Sequence, residues 1–300
     1  MAKRAVTTTK EYLKAAALPT YEGDTYTVIP HEFVINETLK NLGAKGFNIK
    51  HELYRCNQNA NIAQGIYHLD YSNDPDMGMM FAWSNSYDKS MRFKCAIGGY
   101  VFVCSNGMVR GDMGSWGRKH TGAADEETIE TIQEQISKAD RYYKQLVSDK
   151  EAMKDIMISE TIRAQLIGRL YFEEDLLNSE QLSIIKQQIH TPKHDYNADK
   201  KSLWTLYNHI TYSLREAHPK NWLDHQKLVH WFFTQEYGIP LVDFLEAEPN
   251  EVTEVQQETI VITEPIQSVE EVPTLGPNKQ LDLLDAIKEA ENSENNLNHL

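Results

Sequence analysis

Met91-Arg92-Phe93-Lys94-Cys95-Ala96-Ile97-Gly98-Gly99-Tyr100-Val101-Phe102-Val103-Cys104-Ser105 is the stretch on which the fold turns. Aromatic and β-branched residues flank a Gly-Gly pair, the pattern of two strands joined by a two-residue hairpin turn. That register pairs Ile97 with Tyr100, Cys95 with Phe102 and Phe93 with Cys104, and sets all six on one face. Arg92 and Lys94 then lie opposite Val101 and Val103 on the other face, because side chains alternate with period two. An antiparallel sheet with one core face and one mixed, partly basic face is expected.

Toward the N-terminus the same strand-like character recurs at residues 26–29, 66–69 and 79–83, and the hairpin's second arm covers 100–103. Turn signals fall between them at 57–61 and 72–76. One helix interrupts, over 31–42, ending near Gly43. Past Gly122 the period changes. Ile129, Ile132, Ile136, Ala139, Tyr143 and Leu146 follow steps of three and four, which predicts one amphipathic helix with Asp125, Glu126 and Glu127 at its dipole-favoured start. Further helices are expected over 156–172, over 179–189 with Asn178 as cap, over 202–217, and over 222–237 before Gly238-Ile239-Pro240. From residue 246 the chain turns acidic and rich in Glu, Val, Thr and Pro, the composition of a disordered linker. A short amphipathic helix near 279–291 carries Leu281, Leu284 and Ile287 on one face. The expected class is therefore α+β: an N-terminal antiparallel β-rich binding domain over 1–122, a helical region packed on it over 123–245, and a disordered acidic tail over 246–300.

With 300 residues, 41% of them hydrophobic, the chain is able to bury a substantial core. The basic N-terminus lacks the apolar run of a secretory signal, and no segment reaches the roughly 18 apolar residues of a membrane span. Residence in the cytoplasm, that of a bacterial host, is expected, without membrane association. Cys56, Cys95 and Cys104 have no CxxC spacing and read as reduced, buried thiols. The net charge of −14 is uneven: +3 over residues 1–120, −5 over 121–240 and −12 over 241–300. Phosphate binding depends on local charge, so the acidic total does not exclude a nucleic-acid partner.

Enzyme-like motifs fail on inspection. Asp195-Tyr196-Asn197-Ala198-Asp199 opens like a calcium loop, but Lys200 and Leu206 replace the required Gly and Glu. The glycine-spaced loop 111–117 lacks the ending of a phosphate-binding loop. His190, His194, His209, His218, His225 and His230 lack metal-ligand spacing. No cofactor and no metal are expected. What remains is an interleaving of rings and cations. Trp83, Tyr87 and Trp116 would stack bases, Lys89, Arg92, Lys94, Arg110, Arg118 and Lys119 would contact phosphates, and Asn85, Asn106 and His120 would add polar contacts.

Three of these segments carry a resemblance. Asn85-Ser86-Tyr87-Asp88, Val103-Cys104-Ser105-Asn106 and Arg118-Lys119-His120-Thr121-Gly122 resemble the Asn-Ser-His-Asp, Val-Cys-x-Asn and Arg-His-Thr-Gly signatures of the phage/plasmid-like proteins of unknown function. The run 203–211, with Trp204 and Asn208, is similar to that family's C-terminal segment. Tyr87 stands in place of His, Lys89 in place of Gly, and Lys119 is inserted before His120. The resemblance implies a mobile-element setting and so replication, recombination or host interference. The leading expectation is a non-enzymatic DNA-metabolism accessory that binds single-stranded nucleic acid, serving annealing or recombination. Its tail would dock a replication or host protein through Leu281, Leu284 and Ile287, and the chain would pair with further copies of itself. The alternative is a host-factor-binding interference protein without DNA affinity. A third class, a hydrolase, would use Asp88, Asp112 and His120. The binding reading requires Asn85, Asp88, Asn106, Arg118 and His120 to approach one another.

Overall fold

Alternating apolar residues on four long strands build the centre of the molecule. A computed structural model describes residues 6–20, 27–71, 73–110, 116–118 and 124–242. Strands β1 (Val6–Thr8), β2 (Ile49–Cys56), β3 (Ile62–Leu69), β4 (Met77–Ser86), β5 (Phe93–Val101) and β6 (Gly107–Met108) pair in sequence order, all antiparallel, and β7 (Trp116–Arg118) joins β5. Helices α1 (Lys10–Lys14) and α2 (His31–Ala44) precede β2. After the sheet come α3 (Ala124–Ser137), α4 (Ala139–Asp155), α5 (Glu160–Phe172), α6 (Ser179–His190), α7 (Leu203–Ser213), a tightened turn over Leu214–Glu216 and α8 (Pro219–Glu236). The α+β class with an antiparallel sheet ahead of a run of helices is as expected. The chain divides into a unit over Met1–Leu245 and another over Glu246–Leu300. Leu281, Leu284, Ile287 and the helix expected near 279–291 lie outside the described residues.

The hairpin expected at Gly98-Gly99 is not formed. Strand β5 runs straight through both glycines, with Gly98 opposite Met80 and Gly99 opposite Met79. A Cβ on Gly98 would stand 2.6 Å from the Met108 carbonyl oxygen, and one on Gly99 would stand 2.5 Å from Met77 Cε. The glycines therefore permit close packing within a continuous strand. Parity then separates the expected partners: Ile97 shares a face with Phe93 and Cys95, while Tyr100 lies with Ala96 on the other. The chain reverses later, where Cys104 and Ser105 donate their backbone N–H groups to the Val101 carbonyl and Ser105 takes a left-handed φ of 55°. Phe102 and Val103, assigned by pattern to the strand, are exposed.

One face of the sheet, carrying Tyr67, Phe81, Trp83, Phe93, Cys95 and Ile97, packs with Val34, Ile35 and Leu42 of α2 and with Ile132, Ile136 and Tyr143 of α3 and α4. The opposite face, with Ile66, Met80, Ala82, Ala96 and Tyr100, packs with Trp222 and Leu223 of α8 and with Ala217. Helices α4 to α8 enclose a further core around Trp204, Tyr207 and Phe233, which meets the sheet at Met77, Val101 and Met108. The stripe read as one helix from 129 to 146 is two helices broken at Lys138, yet Ile132, Ile136, Ala139 and Tyr143 enter the same core. Residues 27–29 form no strand, because Ile29 gives its carbonyl to the Asn85 side chain rather than to a neighbouring strand. Residues 156–158 are extended rather than helical: Leu203 N–H donates to Ile156 O, Ile158 N–H donates to Lys201 O, and α5 starts only after Ser159 caps it. No helix among the described residues is long and apolar enough to cross a membrane.

Candidate functional site

The stretch that drew attention in the sequence is largely interior. Trp83 is 0% exposed and its indole N–H donates to Tyr67 OH at 3.1 Å, so its ring belongs to the core and offers no surface to a base. Asn85 is equally enclosed: its Nδ2 donates to Ile29 O at 2.8 Å and lies 3.0 Å from His31 Nδ1. Tyr87 stacks on His31 at 3.9 Å between ring centroids, and its OH accepts the His31 backbone N–H. Burial first of all raises the Tyr87 pKa. Asn106 is buried at the other end of β5 and donates to Asn208 O at 3.0 Å. The guanidinium of Arg110 is buried in an ion pair with Asp149 at 2.7 Å, and Lys94 pairs with Asp224. Lys89, Arg92 and Asp88 are exposed.

These placements do not bring the expected constellation together. Asn85 and Asn106 sit at opposite ends of the β4–β5 ladder, roughly 25 Å apart at about 3.3 Å per residue. Arg118 pairs its backbone with Phe93, near the Asn85 end. Nothing is described of the side chains of Trp116 and Arg118, and Asp112, Lys119 and His120 lie outside the described residues. Cys56, Cys95 and Cys104 are buried, unbridged thiols; burial raises the pKa of each, that of Cys104 to about 12.

The most site-like place lies on the sheet face that α8 covers. Alternation along β2 turns His51, Leu53 and Arg55 to that face, and the register sets them beside His68, Ile66 and Gln64 of β3. Met80 of β4 and Gly107 of β6 continue the row. Above them, Trp222 and Gln226 project from α8 and Arg215 from the turn before it, closing a cavity of about 320 Å³. Exposed Thr7, His51 and Ser105 form its rim, and buried Met80, Gly107, Trp222 and Gln226 lie at its inner end. A Cβ on Gly107 would stand 2.8 Å from the Trp222 ring, so the missing side chain lets the indole lie against the sheet.

The groups lining this cleft suit a ligand that is both polar and flat. Arg55 donates to Gln64 Oε1 at 3.3 Å and to Ala217 O at 2.7 Å, which fixes its guanidinium between the sheet and the approach to α8. Arg215 donates to Cys104 O and lies 4.7 Å over the Tyr212 ring, and no carboxylate among the described residues pairs with it. His68 stacks on Tyr100 at 3.8 Å and 6°. Burial, and then His51 beside it, lower the His68 pKa to about 4, so the ring is neutral near pH 7. Gln226 is 0% exposed, and neither its Oε1 nor its Nε2 has a hydrogen-bond partner. No carboxylate among the described residues lines the cavity.

Sequence reasoning missed this site for two reasons. Its residues are spread over β1 to β4, the reversal at Ser105, β6, the tightened turn and α8, and the mixed polarity of β2 hid a strand. The one legible signal was the alternation His51, Leu53, Arg55 against Ile66 and His68. In comparison with known proteins, residues 21–226 match the family model described as Domain of unknown function (DUF932). No curated protein and no solved structure matches the chain.

Proposed function

The chain belongs to the DUF932 family, and from that premise we propose that it is a non-catalytic binding protein for single-stranded nucleic acid, of the kind that phages and plasmids carry for DNA metabolism. Annealing or recombination is the work such a protein would serve. The observation that carries this reading is the cleft between β2, β3 and α8, where cationic Arg215, the half-buried His68 ring and the unpartnered Gln226 amide converge without a carboxylate. A nucleotide of a single strand offers the three complements: phosphate, π face and hydrogen-bonding edge. In a duplex the base faces are stacked and the pairing edges are occupied, so a single strand fits better.

Binding rather than bond-breaking is favoured by where the acid and base groups lie. The Asp149, His230 and Tyr207 series resembles a catalytic relay in composition, with His230 Nε2 3.0 Å from Asp149 and Nδ1 3.3 Å from Tyr207 OH. All three are fully buried and tie helices together. The mobile-element setting is supported by the resemblance at 85–88, 103–106 and 118–122.

Fluorescence anisotropy with the full chain and a labelled oligonucleotide of about 20 nucleotides tests the reading. Binding at micromolar protein or tighter is expected at low salt, weakening as salt rises, with a duplex of equal length binding less well. No binding at micromolar concentration removes the reading and leaves the host-factor alternative, which requires a stable complex with a host protein.

A further inference from the structure

General attraction to phosphate does not require an enclosed carboxamide, yet the cleft contains one. Gln226 has its acceptor and its donor both unpartnered while fully buried, an arrangement that is costly in a folded interior and rare. Gln64, which alternation turns to the same sheet face, is also fully buried and has an unpartnered Nε2, while Arg55 donates to its Oε1. The apolar side chains of Leu53, Ile66 and Met80 line the same cavity. An adjacent donor and acceptor beside apolar walls match the edge of a planar heterocycle, as when a glutamine pairs bidentately with a base. The cavity of about 320 Å³ lies near the lower end of small-ligand sites, about 300–1,000 Å³, which gives room for one nucleotide rather than a stacked pair.

We infer that the cleft takes a single nucleotide, whose entry shifts the cleft wall enough to bring the enclosed Gln226 carboxamide onto the hydrogen-bonding edge of its base, with Arg215 on its phosphate. The inference rests on the single-strand reading for the source of that nucleotide; a free mononucleotide would present the same chemistry. Gln226 is then a specificity-determining residue whose side chain is satisfied only when the site is filled.

The test uses the full chain, a thymidine 20-mer, an abasic strand of equal length, and deoxythymidine and deoxyadenosine monophosphates. Wild-type protein is expected to bind the base-bearing strand at least about ten-fold more tightly than the abasic strand. Gln226→Met is expected to lose that preference while melting no lower than wild type, because a nearly isosteric apolar chain replaces two unpaired polar atoms. Equal wild-type affinity for the two strands overturns the inference and leaves the single-strand reading intact, and needs no variant to fold. Full preference retained by folded Gln226→Met does the same. Binding of the monophosphates alone, lost in Gln226→Met, supports the nucleotide site and removes the single-strand reading. Binding of none of the probes removes both.

Discussion

At Gly98 the absent side chain has the opposite meaning from the one its sequence neighbourhood suggests. A Gly-Gly pair between apolar runs is a turn signal because glycine reaches conformations closed to other residues. Here a Cβ at 98 would strike the Met108 carbonyl oxygen at 2.6 Å and Met80 Cε at 2.8 Å, so glycine is needed for close approach across the sheet. Gly98→Ala is accordingly expected to destabilise the protein by about 1–3 kcal/mol, the usual range for overpacking. Urea unfolding measures it, and an unchanged midpoint would show that the sheet yields without cost. Trp83 teaches the same lesson: next to cations in sequence it reads as a stacking platform, but its ring is enclosed and hydrogen-bonded to Tyr67. Residue type cannot say which of two faces a side chain meets; register does.

At the scale of elements, local signals worked where the interactions are local. Helix α6 begins where its cap predicts, Asn178 Oδ1 accepting the Gln181 N–H at 2.9 Å while the Gln181 side chain accepts the Asn178 N–H in return. Loss of this reciprocal cap in Asn178→Ala is expected to cost about 1 kcal/mol. Thermal melting followed by circular dichroism reads it, and a variant melting with wild type would show that packing alone holds this helix end. Helix α2, at His31–Ala44, was likewise legible within two residues of its end. Strand β2 was not: its face toward the cleft alternates His51, Leu53 and Arg55, and its other face is held by distant groups, Glu52 receiving Lys10 at 2.8 Å. The break at Lys138 was equally hidden, since one apolar stripe serves both α3 and α4.

Across the whole molecule, buried ionic links join parts far apart in sequence. Asp149 accepts Arg110 and Gln145, each at 2.7 Å, and meets His230 at 3.0 Å, while the enclosed Lys150 pairs with Asp74 at 2.6 Å. Burial disfavours the Asp149 charge, but His230 and then Arg110 more than offset this and lower its pKa. Burial also lowers the pKa of His68 and of His209 to about 4, with His51 and Arg163 adding to the respective shifts. A histidine lowered on folding contributes stability that is complete above its unfolded value, about 6.5, and is lost as pH falls toward 4. After allowance for partial solvent screening, each contributes a fall on the order of 1–2 kcal/mol over that window. Below about pH 4, protonation of Asp149 continues the loss. Urea titrations between pH 7 and 4 check this: a His68→Gln, His209→Gln variant should show a flatter profile, and an equally steep one would place the acid sensitivity elsewhere. By itself, the sequence determined the α+β class, the switch of period after residue 122 and the cap at Asn178, because propensity, alternation and capping act over a few residues. The course of β5, the burial of Trp83 and Asn85 and the assembly of the cleft from β1 to β4, β6 and α8 were decided only by the tertiary structure. Register and the seating of α8 on the sheet join groups up to 162 residues apart, as Arg55 to the Ala217 carbonyl, and no local pattern encodes such a distance.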